Sequence, residues 1–292
     1  MISILMITYG RDRELFETLK DINRYGIKEK IELIILDNNE NNKLQKKIEE
    51  IVDNENITLS YYNDGFNYGV ALGRNFIIKK AKGDILITLD DDIEIESIDK
   101  IILKVKNYFR DLSIGAIAFN IKNYETRCSL SYEIPHGNKT LDFSKNLYTY
   151  YFIGAGHAIK KEVFNKVGYY PDDLGKYGGE ERDLSFRIIK YYKILYASDI
   201  IIYHKRALNG RMPQKEENYF RYRNQLMVLN RYLPFLYRWT SNFMWSMWYL
   251  LKKKGSLNEV FKVLKEVLQL KREIIDKETL KYIKDVQGRL FY

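Results

Sequence analysis

The chain has 292 residues, of which 46% are hydrophobic, and a formal net charge of +9. This length and composition allow one large buried core, in a single domain or in a domain with an appendage. The single cysteine, Cys128, excludes an internal disulfide framework and a cysteine-built zinc site, so we expect a reducing, cytoplasmic compartment.

Four short apolar strands alternate with helices in the first third of the chain. We predict strands at residues 2–7, 31–36, 57–61 and 85–89, and helices at residues 13–25, 43–52 and 70–81, the first of which closes at Gly26. Helical connections of this length predict parallel strands in a doubly wound α/β sheet. Such sheets bind ligands beyond the carboxyl ends of their strands, where Asp37 and the residues after position 89 lie.

Two glycines and two asparagines precede and enter the third helix, between Asn67 and Asn75. Amide groups that are exposed at a helix start can approach an anionic ligand closely, and Arg74 adds a positive charge. The alternative is a helix start capped by asparagine, without a ligand.

Three consecutive carboxylates, Asp90, Asp91 and Asp92, follow the fourth strand. They repel one another, and hard divalent ions such as Mg²⁺ or Mn²⁺ take oxygen ligands. We therefore predict a metal site at this strand end. The alternative is a solvated strand end that turns on aspartates.

The middle of the chain is less regular. We predict a helix at residues 99–109, a strand at 114–119 and, at 123–149, a variable loop that is not part of the sheet. A strand at 151–159 contains Gly154 and Gly156, which either leave room for a ligand against the backbone or allow close packing.

A second acidic cluster follows the pair Gly178 and Gly179. Glu180, Glu181 and Asp183 lie in the first turn of a helix that we predict to reach Tyr192. The helix dipole favours carboxylates there, so capping is the alternative to a chemical role.

His204 follows a strand predicted at residues 200–203, and either binds a metal or has a structural role. Lys205, Arg206 and Arg211 come next, and their charges suit the phosphates of a ligand held under a closing loop.

The last part of the chain is rich in aromatic and basic residues. We predict helices at residues 219–232, 235–251 and 257–270, the second with three tryptophans. Tyrosine and tryptophan beside lysine suit a membrane interface, whereas packing on the core or on a second subunit is the competing interpretation. The apolar run from Trp239 to Leu251 is shorter than the roughly 20 residues that cross a bilayer.

Five motifs together resemble family 2 glycosyltransferases of the GT-A fold. They cover roughly residues 1 to 235, with residues 236–292 as a helical extension. In chain order they are Ile7-Thr8-Tyr9, Leu36-Asp37-Asn38, Asn67-Tyr68-Gly69 with Gly73-Arg74-Asn75, Leu89-Asp90-Asp91-Asp92 and Gly179-Glu180-Glu181-Arg182-Asp183-Leu184.

The resemblance implies a mixed, mostly parallel sheet and metal-dependent transfer of a sugar with inversion. It gives the metal, Mn²⁺ or Mg²⁺, to Asp92 with Asp90 and His204, and the acceptor base to Glu181, with Glu180 as the other choice and Asp183 as an orienting residue. Residues implied in nucleotide or donor binding are Thr8, Tyr9, Arg11, Asp37, Asn38, Asn67, Gly69, Arg74, Asn75, Asp90, Asp91, Gly154 and Gly156.

The resemblance also sets the expected partners. The donor is a nucleotide-diphosphate sugar, with UDP favoured and dTDP or GDP as alternatives, and the acceptor is a glycan, a lipid-linked sugar or a protein, as in cell-envelope polysaccharide synthesis. A homodimer and a peripheral place on the inner face of the plasma membrane fit it too, and nucleic acid is not expected. A nucleotidyltransferase and a non-catalytic scaffold remain alternatives, although the turn from Thr8 to Arg11 is too short for a nucleotidyltransferase loop.

Overall fold

A computed structural model describes residues 1–24, 27–41, 43–175, 177–207 and 209–291. Within these ranges it has nine strands and ten helices. The strands are β1 (Ile2–Thr8), β2 (Ile31–Asp37), β3 (Ile57–Tyr62), β4 (Ile85–Leu89), β5 (Ile93–Ile95), β6 (Ile114–Asn123), β7 (Leu147–Thr149), β8 (Gly156–Lys160) and β9 (Lys193–His204). The helices are α1 (Asp12–Asn23), α2 (Gln45–Ile51), α3 (Gly69–Lys80), α4 (Ile98–Tyr108), α5 (Lys161–Val167), α6 (Glu180–Ile188), α7 (Gln214–Tyr232), α8 (Phe235–Lys253), α9 (Leu257–Leu268) and α10 (Lys277–Asp285).

All described strands form one sheet in the order β3-β2-β1-β4-β8-β6-β9-β5, with β7 paired to β9. The first four strands are parallel and are joined by helices, as the sequence predicts. Strands β1 and β2 are almost wholly buried, which explains their continuous apolar sequences. The predicted end of the first helix, at Tyr25 and Gly26, lies outside the described residues.

The second half of the sheet contains several antiparallel strand pairs. Strand β8 runs against both β4 and β6, and β5 and β7 run against β9. The predicted mixed sheet flanked by helices is confirmed. The described strands form as many antiparallel pairs as parallel pairs, because β5, β7 and β8 run opposite to the strands they pair with.

Several predicted boundaries are wrong: α6 ends at Ile188 and not at Tyr192, β6 continues to Asn123, and α7 begins at Gln214 rather than at Tyr219. The glycine-containing strand begins only at Gly156, because its partner β4 ends opposite it at Leu89. The strand predicted at residues 200–203 is the last part of β9, which starts at Lys193. The predicted loop at 123–149 is not wholly outside the sheet, since β7 pairs with β9 at its end.

Hydrophobic residues cover both faces of the sheet. Helices α1, α2 and α4 pack on one face, and α3, α5, α6 and α7 pack on the other. The C-terminal helices join this second layer, because Val260, Val263 and Val267 of α9 and Ile283 of α10 are buried in it. No helix among the described residues is long and apolar enough to cross a membrane.

Candidate active site

The acidic triplet lies where β4 ends and the chain turns into β5. The amide of Asp90 donates a hydrogen bond to the carbonyl of Ala155 (3.1 Å), which ties the triplet to the chain just before β8. Asp90 remains half-buried, whereas Asp91 and Asp92 are buried. Burial raises the pKa of Asp91 to about 7, although the nearby Arg11 guanidinium opposes this shift.

One carboxylate oxygen of Asp92 accepts a hydrogen bond, and the other does not. Its Oδ2 accepts a hydrogen bond from the amide of Ala207 (2.8 Å) and lies 3.3 Å from Nη1 of Arg11. Its Oδ1 is buried without a hydrogen-bond partner among the described residues, with Nε2 of His204 at 3.3 Å but poorly aligned. Burial favours a higher pKa, but His204 and Arg11 outweigh burial and lower the pKa of Asp92 to about 2.

His204 stands between two carboxylates. Its Nδ1 lies 2.6 Å from Oε1 of Glu133, and its Nε2 faces Asp92. Burial lowers the pKa of His204, yet its interactions with both carboxylates raise that pKa to about 10. Glu133 is 4% exposed and lies in the segment that the sequence assigns to a variable loop. Sequence analysis missed this residue, because no motif or periodicity marks it.

The residues at this strand end fit a divalent ion. Ligand atoms of Asp90, Asp92 and His204 all lie within 4.8 Å of one another. The unbonded Oδ1 of Asp92 supplies an acceptor that the protein itself leaves unsatisfied. Two carboxylates and one imidazole suit Mn²⁺ well and also accommodate Mg²⁺. Glu133 would hold the imidazole in the orientation that a ligand needs.

The second acidic cluster is carried by the start of α6. Gly179, with a φ of 95°, makes the turn before the helix. The side chain of Asn224, which is buried in α7, donates hydrogen bonds to the carbonyls of Tyr177 (2.8 Å) and Gly178 (2.7 Å). Helix α7 therefore fixes the turn that presents Glu180.

Arg74 joins the two acidic clusters. Its Nη1 donates a hydrogen bond to Oε1 of Glu181 (2.8 Å) and lies 3.4 Å from Oε1 of Glu180. Its Nη2 is 3.8 Å from Oδ1 of Asp90. The guanidinium is buried, so little water screens these interactions. The sequence predicts a charge near a ligand at this position, whereas the structure shows contacts to the candidate base.

The two glutamates differ in their surroundings. Glu180 is buried, and burial together with the charge of Glu181 raises the pKa of Glu180 to about 8, against the influence of Arg74. Glu181 is more exposed and accepts the shorter bond from Arg74, which favours it as the base.

The two predicted glycines have different neighbours. A Cβ at Gly154 would overlap Oε1 of Glu181 and lie 2.6 Å from Nη2 of Arg74. A Cβ at Gly156 would meet the side chains of Phe119 and Ile202 instead. Close packing describes Gly156, and Gly154 is packed against the side chains of Glu181 and Arg74, while room for a ligand against the backbone stays a prediction.

Two predicted site residues are fully engaged by the protein. The side-chain amide of Asn75 donates to the backbone carbonyl of Tyr170 and accepts from the backbone amide of Tyr170, each at 2.9 Å, and its predicted contact with the donor stays a prediction. Asp183 is buried and accepts hydrogen bonds from Arg187, Arg231 and Tyr232. It ties α6 to α7 and does not face the reacting groups.

The carboxyl end of β2 holds Asp37 in a closed network. One carboxylate oxygen accepts from the backbone amide of Asn39 (2.8 Å), and the other accepts from the hydroxyl of Tyr61 (2.5 Å). Asp37 is fully buried, next to Thr8 at the end of β1. Tyr61 is a second residue that the sequence did not reveal.

Residues at the start of α3 order the neighbouring turn. The side chain of Asn38 accepts from the amide of Tyr68 (3.2 Å), and Asn67 accepts from the amide of Gly69 (2.8 Å). Gly69 has a φ of 67° and open space beside it. Tyr9, which follows β1, is 46% exposed.

The basic residues after His204 make contacts within the protein. Nζ of Lys205 pairs with Glu17 of α1 (2.9 Å), and the role of Lys205 in holding phosphates stays a prediction. Arg206 donates to the hydroxyl of Tyr132, and Nε of Arg211 donates to the carbonyl of Ala207 (2.7 Å). These bonds order the loop that covers Asp92.

Sequence comparison places this site within a known family. The model of glycosyl transferase family 2 matches residues 3–168, which is more than half of the chain. A Haemophilus influenzae chain described as an uncharacterized protein is 56% identical over 173 residues, which are 59% of this chain and 93% of that one.

Solved glycosyltransferase structures share the fold. A mannosyltransferase from Pyrobaculum calidifontis, in complex with GDP-Man and Mn²⁺, is similar over 97% of this chain and 78% of its own, with a TM-score of 0.57 and 14% identity. S. aureus TarS 1-349 in complex with UDP-GlcNAc is similar over 92% and 80%, with a TM-score of 0.62 and 14% identity. GalNAc-T7 with UDP, GalNAc and Mn²⁺ is similar over 99% and 55%, with a TM-score of 0.60 and 17% identity.

Proposed function

Because this chain belongs to glycosyl transferase family 2, and is therefore a glycosyltransferase, we propose that it transfers a sugar with inversion from a nucleotide-diphosphate sugar to an acceptor hydroxyl. The observation that carries this proposal is the position of Arg74. This buried arginine contacts the acidic strand end on one side and Glu181 on the other. A donor-side carboxylate and a candidate base thus lie on opposite sides of one guanidinium.

The metal site belongs to the donor half of the proposal. Asp90, Asp92 and His204 would hold Mn²⁺ or Mg²⁺. When bound, such an ion offsets the negative charge of a diphosphate leaving group. Arg11 lies close to Asp91 and Asp92, and it limits the repulsion within the triplet.

Glu181 acts as the base. Its carboxylate takes the proton of the acceptor hydroxyl, and that oxygen attacks the anomeric carbon from the face opposite the leaving group. Arg74 holds the carboxylate of Glu181 in place through a hydrogen bond of 2.8 Å. Burial and the charge of Glu181 raise the pKa of Glu180, which disfavours Glu180 as a second carboxylate beside the base. A single displacement of this kind needs one base and gives inversion.

UDP is the donor nucleotide that we propose first, with GDP and dTDP as alternatives. The nucleotide would lie against Thr8, Tyr9 and Asp37 beyond the carboxyl ends of β1 and β2, the edge at which such sheets bind ligands. Two of the similar structures contain UDP or a UDP-sugar and one contains GDP-Man, which supports a nucleotide-sugar donor without choosing the base. A polysaccharide, glycolipid or glycoprotein acceptor at the cytoplasmic face of a membrane completes the proposal.

Calorimetric titration with a panel of nucleoside diphosphates, with and without Mn²⁺, tests the donor site. We expect one nucleotide to bind only with the metal, and Asp92→Ala to abolish that binding. Asp53→Ala, at an exposed aspartate after α2, is the matched control and should bind as the wild type does. Absence of binding by every nucleotide would refute the donor site.

A second measurement tests the transfer itself. The protein is incubated with sugar donors of the nucleotide that binds and with a mixture of glycan acceptors. We expect release of the free nucleoside diphosphate. We expect Glu181→Gln to lower kcat by about 10²-fold or more while the nucleotide still binds. Equal rates for this variant and the wild type would exclude Glu181 as the base.

A further inference from the structure

Helix α8 turns polar residues toward the protein. Asn242 and Asn230 of α7 exchange hydrogen bonds through their amides, at 2.6 and 3.2 Å. The hydroxyl of Ser246 lies 2.9 Å from that of Tyr222, which is also buried in α7. Ser241 is completely buried. Apolar packing adds to these hydrogen bonds, because Tyr249 of α8 is buried and stacks on Tyr222. Trp245, Trp248 and Leu250 of α8 also pack against the core.

The opposite face of α8 is apolar and exposed. Every fourth residue, from Phe235 through Trp239, Phe243 and Met247 to Leu251, presents a large hydrophobic side chain that is between 37% and 69% exposed. A surface helix of a globular protein normally keeps its large apolar side chains on the face toward the core, whereas α8 carries them on both its packed and its exposed face. We call these five residues the outer stripe of α8. Apolar area of this extent marks a contact surface.

The charges on α8 are all positive. The helix contains no acidic residue, and it carries Arg238 near its start and Lys252 and Lys253 at its end. The guanidinium of Arg238 lies over the ring of Phe235, and Nζ of Lys253 lies over the ring of Trp248. Lys254 continues the basic cluster just after the helix. An apolar stripe with basic ends complements the surface of an anionic lipid bilayer.

We propose that the outer stripe of α8 docks the protein on an anionic membrane surface, with the stripe in the interface and the lysines at the headgroups. This surface goes beyond the transfer reaction and does not depend on it. Pairing of two copies through α8 would bring only positive charges together at either end, which disfavours a dimer there. Helix α9 buries Val260, Val263 and Val267 in the core and exposes Phe261 and Leu268, so it extends the exposed apolar surface next to α8.

Flotation of the full chain with lipid vesicles tests the proposal. We expect binding to vesicles that contain phosphatidylglycerol and weaker binding to phosphatidylcholine alone, with a decrease at high salt. Phe243→Glu should lower the partition coefficient about tenfold or more, because it removes a large buried ring from the interface and adds a negative charge. Leu103→Glu, at a residue of α4 that is 59% exposed, is the matched control and should bind as the wild type does.

Circular dichroism establishes that both variants are folded, and analytical ultracentrifugation without vesicles gives the mass of each. The proposal is overturned if the wild type does not bind anionic vesicles, or if Phe243→Glu binds them equally. It is also overturned if the wild type is a dimer that Phe243→Glu dissociates, because the stripe would then cover a second copy. Nucleotide binding by Phe243→Glu, measured by the same titration as above, should be unchanged, so failure of this proposal is separable from failure of the donor site.

Discussion

Replacement of Gly154 by alanine should separate catalysis from stability. The added methyl group would overlap Oε1 of Glu181 and lie 2.6 Å from Nη2 of Arg74. The backbone of Gly154 does not have the positive φ that makes a side chain strained, so the chain itself accepts alanine. The methyl group must therefore displace the ends of two side chains.

The size of each effect follows from which atoms move. A carboxylate shifted by about 1 Å no longer faces the acceptor oxygen correctly, and displacements of that size cost about 10²-fold in rate. The cost in folding is smaller, about 1 kcal/mol, because the displaced groups are the ends of flexible side chains and not backbone. We therefore expect a large loss in kcat with a small loss in the free energy of unfolding.

The assay combines initial rates of nucleoside diphosphate release with urea unfolding. Gly156→Ala is the matched control, since its methyl group would press on Phe119 and Ile202 in the core. We expect that variant to lose about 1–3 kcal/mol of stability and to keep its kcat per folded molecule within a few-fold. The reasoning fails if Gly154→Ala keeps the wild-type kcat, or if its rate falls only in proportion to the unfolded fraction.

Three further changes test the metal site, the paired glutamates and the C-terminal helices. Asp92→Asn should abolish Mn²⁺-dependent nucleotide binding, seen by calorimetry, and unchanged metal dependence would contradict the ligand assignment. In the folded state the pKa of Glu180 is about 8, whereas its ordinary value is 4.5. Between these pH values the folded state binds the proton more tightly than the unfolded state, so stability falls as the pH rises. Glu180→Gln should flatten that decline in thermal melts from pH 5 to 9, and parallel curves for both proteins would refute the assignment. Ile283→Ala should cost about 2–4 kcal/mol in urea unfolding, because Ile283 is fully buried, and a cost near zero would show that α10 is not part of the core.

The first half of the fold could be predicted because its information is local. Each of the first four strands is a short apolar run, and each strand-to-strand connection contains a helix with its own periodic pattern. Parallel pairing follows from these connections alone. A metal site at the acidic triplet could be predicted from its position at a buried strand end, and the choice of Asp92 within it rests on the resemblance to the family. The side-chain contacts of Asn75 and Lys205 could not be predicted, since Tyr170 and Glu17 lie far away in sequence.

The second half depends on pairings that no local pattern records. Strand β5 has only three residues, and it forms because β9 extends far enough to meet it. Glu133 has no motif around it, and only the fold shows that it meets His204. The exposed apolar face of α8 is visible only when the neighbours of the helix are known, because the sequence of a tryptophan-rich helix does not show which of its side chains pack on α7 and which face solvent.

The bond between Arg74 and Glu181 joins residues that are 107 positions apart, and the bond between Ala207 and Asp92 spans 115. During synthesis the acidic strand end therefore leaves the ribosome long before the residues that complete it. A nascent chain that ends after β4 can pair its parallel strands but has neither a base nor a histidine beside the triplet. We expect the chain to gain the capacity to bind donor and acceptor together only late in translation. A truncated product of this chain should therefore be inactive and should not consume nucleotide sugar.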